Sequence, residues 1–197
     1  MYRKIVPLAL LATLAGCSDR QDTTKASFHK AAQAYLDSQY PHCFVVSSFP
    51  TKTQDFDVHG TNKALHALAQ VGVVSEKEIS RTEVPARLWS PARTDIYYAY
   101  DLTDEGRRYY KAGSGLCFGK AQVTAVEQFS EPNEVAGQKR SNVTYAYKIT
   151  GLPAWAGNVS VKAGIVGLDK AVASNDTPLK ETRAMVLTSN GWKMLDE

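Results

Sequence analysis

The chain reads as an α+β protein, with a helical N-terminal half and a C-terminal antiparallel sheet. Three observations carry that reading. In the N-terminal half apolar residues recur at helical spacing, as at Phe28, Ala31, Ala32, Tyr35 and Leu36. In the C-terminal half they alternate, as at Val143, Tyr145, Tyr147 and Ile149. Asn190-Gly191, followed by Trp192, is a two-residue hairpin signal. With 197 residues and 44% hydrophobic composition, the chain can bury a real core.

The first segment reads as a leader. Arg3 and Lys4 precede an apolar run at residues 5–16, shorter than the roughly 20 residues of a bilayer-spanning helix. The run closes on Leu14-Ala15-Gly16-Cys17. This stretch resembles the lipobox of bacterial lipoproteins: a positive end that stays cytoplasmic, an apolar segment, and small residues that let a peptidase reach the backbone. The resemblance implies a diacylglycerol on the Cys17 sulfur, cleavage before it, and a mature chain held to the membrane by two or three acyl chains. Residues 1–16 then form the signal peptide and 17–26 a polar tether, followed by domains at 27–113 and 114–197. Ser18 follows the lipidated cysteine where enteric inner-membrane lipoproteins commonly carry Asp. That implies a periplasm-facing, outer-membrane location.

From Ser27 the stripe of Phe28, Ala31, Ala32, Tyr35 and Leu36 predicts an amphipathic helix that Pro41 ends. Residues 43–49, rich in Val and Phe and stopped by Pro50, predict a strand. Thr61 or Asn62 can cap a second helix with Ala64, Leu65, Leu68 and Val71 buried, and Gly72 ends it. Residues 79–84 and 96–102 read as strands joined by a loop that holds Pro85 and Pro91. Thr103 then caps a helix with Asp104 and Glu105 in its first turn, Arg107, Arg108 and Lys111 later, and a stop at Gly113. Residues 116–129 predict one long strand and 130–138 a loop. Residues 142–150 and 182–188 predict further strands. The segment 157–177 is ambiguous, because Gly157, Gly164 and Gly167 interrupt its apolar residues.

The order of a helix ending in Ala67-Leu68-Ala69-Gln70-Val71-Gly72-Val73-Val74, a two-stranded hairpin, and Tyr100-Asp101-Leu102-Thr103-Asp104-Glu105-Gly106-Arg107 resembles a winged helix over residues 61–111. The predicted class is therefore α+β, with a winged-helix-like hairpin in the 27–113 domain and a β-rich 114–197 domain. In winged-helix proteins the helix before the wing enters DNA. Here that helix carries one cation, Lys63, and residues 77–111 hold seven cations against six acids. That is too little charge to neutralise several phosphates, so no nucleic-acid partner is expected. The net charge is +3, of which Arg3 and Lys4 supply two, so no basic field remains after cleavage.

With Cys17 consumed by lipid, Cys43 and Cys117 remain as an even pair in an oxidising compartment, which predicts a disulfide between them. His29, His42, His59 and His66 form no close metal-ligand cluster, and no nucleophile elbow or phosphate loop is present. The expectation is a protein without metal, cofactor or catalytic residues. Trp89, in its proline-bounded loop, and Tyr97, on the outward face of its strand, are the candidate partner contacts. Together these readings predict a lipid-anchored periplasmic envelope lipoprotein with a non-enzymatic protein-binding or assembly role. The alternative is an immunity or inhibitor lipoprotein that blocks a toxin or cell-wall hydrolase. Its candidate insert is residues 130–138, with Glu131 and Glu134.

Overall fold

Thr24 and Ser27 cap each other at the start of the fold: Thr24 Oγ1 accepts the Ser27 N–H at 3.2 Å and Ser27 Oγ accepts the Thr24 N–H at 3.1 Å. The structure, a computed structural model, describes residues 22–57 and 60–195. The lipobox with Cys17, and His59, lie outside the described residues. The first half of the chain runs α1 (Lys25–Gln39), β1 (His42–Phe44), β2 (Thr51–Gln54), α2 (Thr61–Gln70), β3 (Val74–Val84), β4 (Arg93–Leu102), α3 (Asp104–Arg107) and β5 (Tyr110–Lys111). It continues with β6 (Gly115–Phe118), β7 (Lys120–Phe129), β8 (Asn133–Val135), β9 (Gln138–Thr150), a 3-10 turn (Ala154–Gly157), α4 (Val159–Gly164), α5 (Leu168–Ala173), β10 (Leu179–Thr188) and β11 (Gly191–Met194).

The expected helical N-terminal half is not what forms. Among the described residues the protein is mostly β, about 44% strand against 26% helix, in three sheets, and the helices other than α1 lie between residues 61 and 173. Two physical causes account for the difference. The helix expected from Thr103 to Gly113 stops after one turn, because Tyr110 and Lys111 pair with Leu116 and Gly115 instead. The segment between Pro153 and Thr177, whose glycines weaken a long helix, breaks into a 3-10 turn and two six-residue helices with Gly167 in the left-handed region at φ 79°. The expected single strand over 116–129 also divides, at Gly119 (φ 76°). There β6 pairs with β1 and β7 turns away to pair with β9.

The largest sheet has the antiparallel order β11-β10-β9-β7, with β8 folded back on β9. Helix α1 packs against both outer strands, β7 and β11, which a flat sheet would not allow. The sheet curls into a half-barrel, helped by two register shifts in β7, at Val123/Ala125 and Val126/Gln128, because each extra residue bends its strand. Phe28, Ala31, Ala32 and Leu36 of α1 fill the concave side against Val143, Tyr145, Tyr147 and Ile149 of β9. The alternation read in the sequence thus faces the helical stripe read in the sequence. A second stripe of α1 runs along the edge of β7. Lys25 Nζ donates to Glu127 O at 3.2 Å, Gln33 Nε2 donates to Ala121 O at 2.9 Å, and Gln33 Oε1 accepts the Val123 N–H at 2.8 Å. His29 Nε2 lies 3.3 Å from Val123 O.

A second cluster gathers α2, the roots of β3 and β4, β6, the 3-10 turn, α4 and α5 around Leu65, Leu68, Tyr100, Trp155 and Ile165. Helices α2 and α4 meet so closely that a Cβ at Gly164 would stand 2.9 Å from Ala64 Cα. Leu152 and Ala171 pack against both clusters. Contacts therefore run across the expected 113/114 boundary: α1 belongs with the late strands, and α4 with the early helix. Cys43 and Cys117, opposite each other in the β1–β6 pair, form the expected disulfide.

Candidate functional site

β3 and β4 are long for the space they cover. β2 pairs with β4 only from Tyr97 to Tyr100, so beyond that point the sheet narrows to two strands. The ladder continues through Arg81↔Ile96, Thr82↔Asp95, Glu83↔Thr94 and Val84↔Arg93. Pro85 and Pro91, which lack a backbone donor, interrupt it. It closes at a two-residue turn in which the Arg87 N–H donates to Ser90 O at 2.8 Å and the Ser90 N–H donates to Arg87 O at 3.1 Å. Leu88 and Trp89 occupy the apex. The free ribbon reaches roughly 20 Å past the sheet at about 3.3 Å per residue.

The arm concentrates the exposed apolar surface. Leu88 is 87% exposed and Trp89 93%, and Tyr97, Ile79 and Phe56 lie exposed toward its root. Every large aromatic side chain exposed among the described residues is in this group. Ile79 falls at the register shift between Glu78 and Ser80, which leaves it without a cross-strand partner. The polar residues of the ribbon largely satisfy one another. Arg81 grips Glu78 with two bonds (3.0 and 2.9 Å), Arg93 Nε donates to Asp95 Oδ1 at 2.8 Å, and Thr94 Oγ1 donates to Glu83 Oε2 at 2.8 Å.

At the root the arm is held stiffly. The Tyr100 hydroxyl, on a side chain 1% exposed, lies 2.8 Å from Glu76 Oε2 and 2.9 Å from Asn62 Oδ1, so one proton serves two acceptors. Thr53 Oγ1 donates to the same Asn62 oxygen at 2.5 Å, and His66 Nδ1 stands 2.7 Å from Glu76 Oε2. Burial, and then the bond to the Glu76 carboxylate, push the Tyr100 hydroxyl well above the ordinary tyrosine range. This cluster ties β2, β3, β4 and α2 together, and the sequence reading missed it. The available signal was Asn62, a polar residue three positions before Leu65 on the buried face of its helix.

No protein-family model, curated protein or solved structure matches this chain. Both sequence candidates for partner contact, Trp89 and Tyr97, lie on the arm, Trp89 at its apex and Tyr97 where β2 ends. The disulfide of Cys43 and Cys117 belongs to the β1–β6–β5 sheet and has no place in the arm. Helix α2, which in winged-helix proteins would face DNA, is covered on one side by α4. Residues 130–138, expected as a loop, form the β8–β9 hairpin, and Glu134 stands opposite Lys139.

Several concavities lie elsewhere among the described residues, two of them of about 580 and 630 Å³. The first lies between the start of α1 and the β10–β11 turn and is lined by Asp22, Thr24, Lys30, Ala34 and Asn190 among others. The second lies where the two clusters join and is lined by Gln33, Asp37, Tyr40, Lys111 and Lys120 among others. Among the described residues no group of three or more His, Cys, Asp or Glu side chains is placed to hold a metal ion, and no helix is long and apolar enough to cross a membrane.

Proposed function

We propose that the chain is a lipid-anchored envelope protein, held through Cys17 and facing the periplasm, with a non-enzymatic protein-binding or assembly role in which the β3–β4 arm makes the contact. The observation that carries the reading is the Leu88-Trp89 apex. An isolated two-stranded ribbon is marginal in water, and this one ends in two large apolar side chains that touch water almost completely. An exposed Trp on a preformed turn is the usual anchor of a protein contact, because it gains area at little entropic cost. Nucleic acid is a poor fit, since Arg81 and Arg93 are already engaged by Glu78 and Asp95. The lipid part is tested by metabolic palmitate labelling: wild type takes up label and Cys17→Ala does not. The contact part is tested by crosslinking the full-length chain in its envelope with Cys17→Ala as control. Reproducible capture of an envelope protein is expected, and absence of any captured protein refutes the reading.

An immunity or inhibitor lipoprotein is the second reading, favoured by one observation: a narrow apex of this kind has the shape of an element that enters a cleft. The arm then takes the part first expected of residues 130–138, whose Glu134 is partly offset by Lys139. Capture of a toxin or hydrolase, followed by loss of its activity on addition of the chain, selects this reading.

A further inference from the structure

We propose that the surface receiving the arm is a protein slot, apolar at its floor and rimmed by carboxylates, which takes Leu88 and Trp89 and pairs with Arg87. The inference rests on the protein-contact reading above and adds the chemistry of the partner.

Charge is the first argument. Residues 84–93 contain two arginines and no acidic residue. Arg93 is held by Asp95, whereas the Arg87 guanidinium has no hydrogen bond or ion pair among the described residues. Arg87 also sets the turn through its backbone, so its side chain starts directly beside the apex. A partner that desolvates Leu88 and Trp89 must bring Arg87 to its rim, and a guanidinium there selects a carboxylate with matching bidentate geometry.

Shape is the second. The apex is two residues wide, closed by a reciprocal backbone pair and bracketed by Pro85 and Pro91. It is a knob, so its complement is concave, and the Arg87–Ser90 backbone pair already sets the turn that the partner receives. An anionic bilayer fits less well. Membrane-binding basic segments typically carry about four to eight clustered cations, and here one unpaired guanidinium stands above a ribbon that carries Glu78, Glu83 and Asp95.

The test uses the full-length chain with a photoreactive phenylalanine analogue in place of Leu88, irradiated in the envelope fraction of the source cells, with crosslinked peptides read by mass spectrometry. A parallel probe replaces Val166, which is 91% exposed and lies off the arm. The expected adduct is a peptide that contains apolar residues and at least one Asp or Glu. With the captured partner purified, Trp89→Ala weakens binding about 30-fold or more, the scale of an interface hot spot. Arg87→Glu weakens it about tenfold or more, and reversing the partner's carboxylate to Lys restores binding to Arg87→Glu. Adducts of lipid mass, a captured site without a carboxylate, or binding unchanged by Arg87→Glu overturn the inference. Capture of protein from Val166 alone overturns the arm assignment while leaving an envelope-binding role in place. Capture from neither probe removes both.

Discussion

Replacing Phe28 with alanine tests whether the first helix is part of the global fold or an appendage. Phe28 is 0% exposed, and its ring lies 4.9 Å from that of Phe129 and 4.8 Å from that of Trp192. One side chain of α1 thus joins the end of β7 to the start of β11, across more than half the chain. Phe→Ala in a core costs about 3–5 kcal/mol, and the loss of two tilted aromatic pairs, each worth roughly 0.5–1.5 kcal/mol beyond area burial, places this site near 4 kcal/mol. At about 2–4 °C per kcal/mol for a chain of this size, the melting midpoint falls by about 8–16 °C. Scanning calorimetry on wild type, Phe28→Ala and an Ala34→Ser control on the exposed side of α1 measures it. The expected result is one cooperative transition, shifted as stated for Phe28→Ala and within about 2 °C for the control. A shift below about 3 °C, or a separate early transition with the main peak unmoved, would show that the half-barrel closes without α1 and would refute the reasoning.

The Cys43–Cys117 disulfide closes a loop with a sequence separation of 74, so loop-closure entropy assigns it about 4 kcal/mol. The double variant Cys43→Ala/Cys117→Ala should melt roughly 8–16 °C lower, and thiol titration of unreduced, unfolded wild type should find neither cysteine free. Trp155 and Trp192 are buried while Trp89 is 93% exposed, so acrylamide should quench a component of the emission that Trp89→Phe removes; identical quenching in that variant contradicts the arm. Burial first, and then the carboxylates of Glu76 and Glu181, raise the hydroxyls of Tyr100, Tyr145 and Tyr147 above the unfolded value. Their contribution to stability is fully present below about pH 10, the unfolded tyrosine value, and is lost as pH rises through the folded values. Absorbance at 295 nm should therefore show some of the 10 tyrosines ionising only as the far-ultraviolet signal collapses, and smooth titration of all of them in the folded protein goes against this.

Local patterns were legible in the sequence where one face of an element is buried along its whole length. The stripe of α1 and the alternation of β9 were readable because both sides of the half-barrel core follow a strict period, and Val143, Tyr145, Phe28 and Leu36 are all buried as that period requires. The fold class was not legible, because it depends on which segments pair. Tyr109-Tyr110-Lys111 continues a plausible helix by propensity, and only the approach of β6 draws it into a sheet. Gly119 sat between a short continuous apolar run, Leu116 to Phe118, and an alternating one, both compatible with one strand, so its turn was hidden, although an isolated Gly in a strand pattern is itself a warning. At the arm, the prolines and Trp89 announced an exposed loop. The Arg87–Ser90 closure that turns the loop into a knob has no sequence signature beyond them.

The way α1 borders β7 has a consequence for how the protein must be kept intact. β7 ends its sheet, yet Lys25, His29 and Gln33 contact backbone groups at Ala121, Val123 and Glu127 that another strand would otherwise pair with. The helix works as a guard against unwanted self-assembly. A proteolytic cut before the Thr24 cap would leave the guard in place. A cut past Gln33 would instead bare both the apolar trough of the half-barrel and a ten-residue strand edge, the combination that recruits further copies into growing β-aggregates. Loss of the residues before α1 and loss of α1 itself, only a few residues apart along the chain, therefore lead to opposite fates.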